Sequence, residues 1–397
     1  MRWCNKGHEL DSHSQWCSDL FDKKKKFYIF GAGINAYTLM HTLEHYGWLE
    51  ALIDNNTQKQ AQLYYGYEVL SLKRYLEIRD DSSCIVIAAT PQNTKIISEQ
   101  LKDTGLKYNE DFLTEHDLLD RILPIYSLYH DNMVYINLCQ ICLTERCTLK
   151  CKDCAHGCYA VDINSNDNMT LDRAKKTVDC FFGKTGFISE FVLIGGEPLL
   201  YKNLAEMIGY VGENYRDKIG VLGITTNGTI IPDNTVLDYS RKYHVLYRIS
   251  NYINSIPQLA RQHDRLINKF KEYDIDYILG KPEEEWFDYG FGHYRDKDNR
   301  VMLIKKFDRC NTPCREIRDD KFYFCVMARS ASDNLKMNIG KEDYLLLSSL
   351  SDDYNGYSIM TEYNLGYSDK GYLDMCQYCH GADACKYVVR AAEQMGK

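Results

Sequence analysis

Four successive apolar residues, Phe27 to Phe30, follow a run of lysines and precede a glycine turn; apolar positions then recur at Ala36, Leu39, Met40 and Leu43 before another run ending at Asp54. The first run predicts a strand, the three-and-four spacing an amphipathic helix and the last run a second strand, a βαβ opening. A third apolar run, Cys84 to Thr90, is of the kind that a parallel sheet buries on both faces. This pattern predicts a first domain over residues 24–128, preceded by an amino-terminal segment of residues 1–23.

From Tyr135 a second series starts. YINLCQICL, EFVLIGG, IGVLGITTNG and HVLYRIS are apolar runs separated by polar, helix-like stretches. Strands alternating with helices predict βα repeats in a parallel sheet or barrel, here over residues 134–305. In such folds the site is built on loops at the carboxyl ends of the strands, so the residues just after each run matter most. After about Arg300 the pattern gives way to a Cys-rich tail, residues 306–397, with hairpin-like runs such as KFYFCVMA.

The 397 residues are 45% hydrophobic and 26% charged, an ordinary globular composition, with a formal net charge of −8. That charge gives no basis for nonspecific nucleic-acid binding. No apolar stretch approaches the roughly 18 residues of a membrane span, and MRWCNKGHELDSHSQWC lacks the apolar region of a secretory signal, so a cytoplasmic protein is expected. In a reducing compartment the 16 Cys are expected as metal ligands or catalytic groups rather than disulfides. Six fall between Cys139 and Cys158 and six between Cys310 and Cys385, which predicts two thiol sites.

Directly after YINLCQICL comes TERCTLKCKDC, which sets Cys147, Cys151 and Cys154 in the spacing C-x3-C-x2-C. Three thiolates within eight residues do not complete a tetrahedral zinc site, and on a four-iron cube they leave one iron open. With this motif the chain resembles the radical S-adenosylmethionine (SAM) superfamily, whose triplet lies on the loop after the first strand of a partial βα barrel. Gly195, Gly196, Glu197 and Pro198 match that family's GGEP segment, which the resemblance implies holds the methionyl amino group of SAM. Thr226, Asn227 and Gly228 match its TNG segment, and Ser250 stands where a strand-end serine contacts SAM. Glycines allow close backbone approach and a carboxylate such as Glu197 can bind a cationic amine. Cys139, Cys142 and Cys158 are expected as buried, inert thiols.

In the tail, Cys310, Cys314 and Cys325 are followed by Cys376, Cys379 and Cys385 in the spacing C-x2-C-x5-C. This resembles the SPASM and shorter twitch extensions of radical SAM enzymes, which hold auxiliary iron-sulfur clusters. Val389 stands where the full pattern has another Cys, its final Cys is absent, and Asp320 replaces an expected Gly. Six thiols cannot supply two clusters with four Cys each, so a single auxiliary cluster, of the 4Fe-4S kind, is expected. The expected ligands are Cys314, Cys325, Cys376 and Cys379, with Cys310 and Cys385 as alternates; a structural zinc site is the competing reading.

GAGINA, Gly31 to Ala36, is a G-x-G-x-x-A turn, and Asp54 ends the next strand about 20 residues later, the dinucleotide-binding arrangement. Gly31, Gly33 and Asp54 are therefore candidate nucleotide contacts in a Rossmann-like domain, with an empty scaffold as the alternative; similar domains occur in nucleotide-sugar acyltransferases and surface-polysaccharide proteins. Cys4, His8, His13 and Cys17 have a ligand-like spacing, but a flexible terminus is the preferred reading.

The whole predicts an α/β protein: a partial (β/α) barrel of radical SAM type, a Rossmann-like domain before it and a small SPASM/twitch-like domain after it. The resemblance implies reductive cleavage of SAM and abstraction of hydrogen from a substrate, with electrons from an external donor such as flavodoxin or ferredoxin. A small-molecule carbohydrate or nucleotide-sugar substrate is expected, undergoing dehydrogenation, epimerisation or dehydration, possible work in surface-polysaccharide synthesis; a SPASM-type peptide or protein maturase is the alternative. The polar stretch Lys281 to Arg295 is expected as a loop over the barrel mouth or a solvated surface loop.

Overall fold

The computed structural model describes residues 10–166, 168–291, 295, 299–310, 312 and 314–396. The chain divides into two compact units, one of His8–Asn137 and one built on Leu138–Lys397. Among the described residues no helix is long and apolar enough to cross a membrane.

In the first unit α1 (Asp11–Lys23) is followed by β1 (Lys26–Phe30), α2 (Ala36–His45), β2 (Leu49–Ile53), β3 (Leu63–Tyr64), β4 (Tyr67–Leu70), α3 (Leu72–Ile78), β5 (Ser83–Ile87), α4 (Pro91–Asp103), β6 (Phe112–Thr114), α5 (Glu115–Asp117) and α6 (Leu123–His130). The sheet order is β3-β4-β2-β1-β5-β6, with only the β3–β4 hairpin antiparallel. β1 and β5 are central, and all five residues of β5 are buried, which is why Cys84 to Ile87 is an unbroken apolar run. α2 buries Ala36, Leu39, Met40 and Leu43 along the stripe that its spacing predicts.

Two expectations for this unit change. The segment ahead of β1 is helical from Asp11, because Leu10, Cys17, Leu20 and Phe21 recur at helical spacing and are buried, with Phe21 stacked on Trp48 at 4.6 Å between centroids. Cys17 is buried on the core-facing stripe of this helix, where burial pushes its thiol up to about 12; Cys4 and His8 lie outside the described residues. Asp54, expected to meet a ribose, is instead committed to the protein: its carboxylate accepts from the Ala32 N–H at 2.9 Å, the Asn56 N–H at 2.8 Å and the Lys59 ammonium at 2.8 Å. Gly31 has φ +123°, and a Cβ there would stand 2.3 Å from the Ala88 carbonyl oxygen, so its glycine is required by the packing of β1 against β5. At Gly33 a Cβ would meet only the Lys59 ammonium, at 3.9 Å.

The second unit runs β7 (Tyr135–Cys142), α7 (Leu171–Phe182), β8 (Phe187–Ile194), α8 (Leu204–Asn214), β9 (Ile219–Thr226), α9 (Asn234–Lys242), β10 (Val245–Ile249), α10 (Leu259–Glu272) and β11 (Tyr277–Leu279). There follow β12 (Glu285–Phe287), α11 (Arg300–Asp308), β13 (Arg315–Arg318), β14 (Lys321–Tyr323), α12 (Val326–Leu335), β15 (Tyr344–Leu346), α13 (Tyr354–Asn364) and β16 (Val388–Arg390). The strands form an open eight-stranded sheet in the order β11-β10-β9-β8-β7-β13-β14-β15. Side-chain caps start the helices that return the chain between strands: Thr170 accepts from the Arg173 N–H ahead of α7, and Asp233 from the Val236 N–H ahead of α9.

The Cys-rich tail is not a separate layer. β13 pairs parallel with β7, Arg315 beside Cys139, and carries β14 and β15 as antiparallel extensions of the same sheet. KFYFCVMA, read as one hairpin-like run, divides at Phe324: Lys321–Tyr323 is strand and Val326 begins α12. A buried polar cluster ties these elements together. Arg329 of α12 is fully buried and bonds both Glu316 of β13 and Glu145 of the loop after β7; Gln140 of β7 donates to Glu316 at 2.8 Å, and Arg318 donates to Glu145 at 2.9 Å.

Candidate active site

The loop after β7 carries Cys147, Cys151 and Cys154, and all three line a single cavity of about 440 Å³ at the carboxyl ends of the strands. Gly195 and Gly196, after β8, line it too, as do Thr226 and Asn227 at the end of β9 and Ser250 after β10. The structure thus brings together all but one of the triplet and SAM-contact residues named from the sequence.

Glu197 is the exception. It is fully buried, does not line the cavity, and accepts from the Leu199 N–H at 3.1 Å, the Thr226 hydroxyl at 2.8 Å and the Asn227 N–H at 2.9 Å. The carboxylate expected to face an amine instead joins the turn after β8 to the end of β9. Burial pushes it up to about 7 in spite of those three donors. The glycines before it have the same stitching role. A Cβ on Gly195 would stand 2.7 Å from the Thr144 carbonyl oxygen and one on Gly196 2.5 Å from that of Arg146, while the Gly196 N–H donates to Thr144 and the Glu197 N–H to Arg146, each at 2.8 Å. The close approach that glycine permits here is of backbone to backbone, and it holds residues 144–146 immediately ahead of the first thiol.

Each thiol of the triplet has a donor. Cys147 accepts from the Leu149 N–H at 3.4 Å and the Asn227 amide at 3.5 Å, and Cys151 from the Gln394 amide at 3.3 Å. A hydrogen bond from the Cys158 thiol is the largest influence on Cys154 and holds it well below the usual thiol range, against burial. Cys158, expected to be inert, is buried but lines the cavity as that partner; Cys139 and Cys142 are buried in β7. Burial pushes Cys147 up to about 12 and Cys151 to about 11, so protons leave when a metal is bound there.

Part of the remaining wall comes from the stretch expected as a loop over the barrel mouth or a solvated surface loop. Glu284, Glu285, Trp286, Phe287 and Tyr289 line the cavity, so this part of the polar stretch from Lys281 borders it; residues 292–294 of that stretch lie outside the described residues. β12 is held there by antiparallel pairing with β16, Trp286 opposite Val389. Tyr252, edge-on to Trp286 at 5.4 Å, and Tyr159 complete an aromatic lining, with Asp153 as a third carboxylate. Among the described residues that line it, none is lysine or arginine.

In the tail, burial raises Cys314, Cys325, Cys376 and Cys379, and Cys325 is near enough to Cys314 as well as to Cys376 to raise both. Cys325 is raised by burial and then by Cys310 and Cys379; Cys376 by burial, Cys379, Cys310 and Cys325; and Cys379, up to about 12, by burial and Cys310. The Lys306 ammonium braces this group by donating to the carbonyls of Cys376 at 3.0 Å and Cys379 at 2.8 Å. Cys314, preferred from sequence, points its thiol at the Gln140 side chain, 3.1 Å, and the Arg315 carbonyl, 3.3 Å; Cys385 is exposed. Cys310 follows α11, its N–H bonded to the Phe307 carbonyl at 3.0 Å, while Cys314 immediately precedes β13, whose Arg315 pairs with Cys139 of β7. Tyr289 belongs to both sites: it lines the cavity, and its phenol is raised by burial and by the nearby Cys379, Cys325 and Cys310.

No family model matches the chain. Over 95 residues, 24% of this chain, it is 32% identical to GTP 3′,8-cyclase of Syntrophomonas wolfei subsp. wolfei (strain DSM 2245B / Goettingen), and the match spans 28% of that protein's length. Solved structures similar to it include BtrN in complex with AdoMet and 2-DOIA, 16% identical, covering 66% of this chain and 96% of that one at a TM-score of 0.37. Native anSMEcpe with bound AdoMet and Kp18Cys peptide is 20% identical, covering 36% and 42% at 0.30. Streptococcus suis SuiB bound to precursor peptide SuiA is 17% identical, covering 47% and 44% at 0.30. The fold is a mixed α/β one whose parallel strands present the thiol triplet at their carboxyl ends, and the cyclase match is confined to about a quarter of either chain.

Proposed function

We propose that Cys147, Cys151 and Cys154 hold a 4Fe-4S cluster, that SAM binds beside it against Gly195, Gly196, Thr226, Asn227 and Ser250, and that the enzyme takes a hydrogen atom from a carbohydrate. The observation that carries this reading is the convergence of those residues, drawn from four strand ends, on one cavity. The donor set fits the group. Three thiols on one loop line the cavity wall, and three thiolates are what a cube with one open iron takes. Such a cluster, reduced and bound to SAM, supplies the cleavage that yields a 5′-deoxyadenosyl radical.

The lining supports the substrate class. Trp286 and Tyr252 offer ring faces to a sugar, and Asp153, Glu284 and Glu285 accept from hydroxyl or amino groups. Among the described residues the wall offers carboxylates and aromatic rings, which suit the hydroxyl and amino groups of a sugar. An auxiliary cluster on Cys310, Cys325, Cys376 and Cys379, reached through Tyr289, would accept the electron left on the substrate while its proton departs, and this favours dehydrogenation over epimerisation.

Replacing Cys147, Cys151 and Cys154 together by Ala removes about four irons per chain and abolishes 5′-deoxyadenosine formation under a chemical reductant. Retained SAM cleavage overturns the reading. Deuterium transfer into 5′-deoxyadenosine from a panel of deuterated sugars, amino sugars and peptides tests the substrate class, and transfer from a peptide alone establishes the maturase instead.

A further inference from the structure

The triplet loop is fastened by a segment more than 240 residues away in sequence. Residues 388–395 pass from β16 across the loop: the Lys152 N–H donates to the Glu393 carbonyl at 2.7 Å, and the Met395 N–H to the Lys150 carbonyl at 2.8 Å. Cys151 and Gln394 form an antiparallel bridge. The same segment is anchored to the loop between β10 and α10 by the Ser255 hydroxyl, which donates to the Ala391 carbonyl at 2.5 Å, and by Arg390, which donates to the Asn254 carbonyl.

The Gln394 side chain is central to this arrangement. The Lys150 backbone N–H lies 3.0 Å from one end of the amide, and since a backbone N–H can only donate, that end is the oxygen Oε1. The other end is therefore the NH2 group, and its two hydrogens have two acceptors: the Cys151 sulfur at 3.3 Å and the Ala392 carbonyl at 2.9 Å. Both ends of the amide are thus used, and its orientation is fixed.

We propose that Gln394 is a positioning residue of the cluster loop, whose amide both holds the Lys150–Cys151 backbone and, through the N–H to sulfur bond, sets how readily a cluster on Cys151 is reduced. This rests on the reading that the triplet binds an iron-sulfur cluster. Reduction adds negative charge to the cluster and its sulfurs, so a donor to a ligand sulfur stabilises the reduced state and raises the potential. The two ends of the amide have separable roles: a glutamate keeps the acceptor for Lys150 and cannot donate to Cys151.

The test compares full-length wild type, Gln394→Ala and Gln394→Glu. In the iron-free proteins, hydrogen exchange at the Lys150 amide is expected to quicken about fivefold in Gln394→Ala, the factor for losing one typical hydrogen bond, and to stay near wild type in Gln394→Glu. In the reconstituted proteins, the midpoint potential of the cluster whose EPR signal changes on adding SAM is expected to fall in Gln394→Ala and fall further in Gln394→Glu, at equal iron content. Coincident potentials in the three proteins overturn the tuning, and unchanged Lys150 exchange overturns the positioning. A wild type with no SAM-responsive signal overturns the functional reading together with the tuning, and the exchange rates then decide the positioning alone.

Discussion

Glu197 and Thr226, at the ends of adjacent strands and 29 positions apart in sequence, are joined by a 2.8 Å hydrogen bond from hydroxyl to carboxylate in a fully buried setting. The bond fixes the distance between the turn after β8 and the TNG segment, the two edges of the cavity that would meet SAM. Its partner donors, the N–H groups of Leu199 and Asn227, leave the carboxylate oxygens facing donors alone.

Gln in place of Glu197 turns an NH2 group toward one of those donors and is expected to destabilise the iron-free protein by about 1–3 kcal/mol. The cost depends on pH. Glu197 is raised from its ordinary 4.5 to about 7 in the folded chain, so the folded state binds the extra proton between those values and wild-type stability falls as pH rises through that window. The span corresponds to about 3 kcal/mol. Gln does not titrate, so the gap between wild type and Glu197→Gln in urea unfolding narrows from pH 4.5 to 7; a gap that widens contradicts the placement.

The auxiliary ligands separate Cys310 from Cys314. In a background lacking the triplet thiols, Cys310→Ala is expected to lose the remaining iron and its absorption near 400 nm, whereas Cys314→Ala keeps both. Iron retained by Cys310→Ala and lost by Cys314→Ala restores the ligand set expected from sequence. Zinc with no visible absorption in the background protein identifies a structural zinc site.

Arg329 holds Glu316 and Glu145 together with no exposure to solvent. Its loss leaves two buried carboxylates facing each other, and Arg329→Met is expected to cost about 3–5 kcal/mol in chemical denaturation. Glu316, pushed up to about 7 by burial with Arg329 only partly offsetting it, is the carboxylate that protonates first in that variant. A loss below about 1 kcal/mol, the scale of an exposed pair, would show that water reaches the cluster.

In the first unit the two glycines of the turn are expected to respond differently to alanine. Gly31→Ala places a Cβ against the Ala88 carbonyl at a positive φ and destabilises the unit by about 1–3 kcal/mol; Gly33→Ala, with open space, changes it by less than about 0.5 kcal/mol. Because Asp54 is spent on Ala32, Asn56 and Lys59, calorimetry with uridine, cytidine and nicotinamide nucleotides is expected to give the same isotherms for wild type and Asp54→Ala. Binding that Asp54→Ala abolishes reinstates it as a ribose contact.

Much of this protein was legible locally. The apolar runs from Phe27, Cys84, Tyr135, Phe191, Ile219 and Val245 fall in strands because burial on both faces demands successive apolar residues, and C-x3-C-x2-C picked out three thiols that share one loop at the cavity. Residues after strand ends were also identified, since a parallel sheet puts those ends on one side. What the sequence could not decide were the partners chosen across long separations. Glu197 has the side chain of an amine ligand, and only the closeness of β9 supplies the donors that occupy it; spacing put Cys314 ahead of Cys310, and only the pairing of β13 with β7 sets the Cys314 thiol beside Gln140. Gln394 carries no motif, because a neutral amide acquires a role only when the antiparallel bridge brings it to the Cys151 sulfur. Periodicity and ligand spacing are set by neighbours along the chain, whereas the direction of a polar side chain is set by whichever donor or acceptor the tertiary fold leaves beside it.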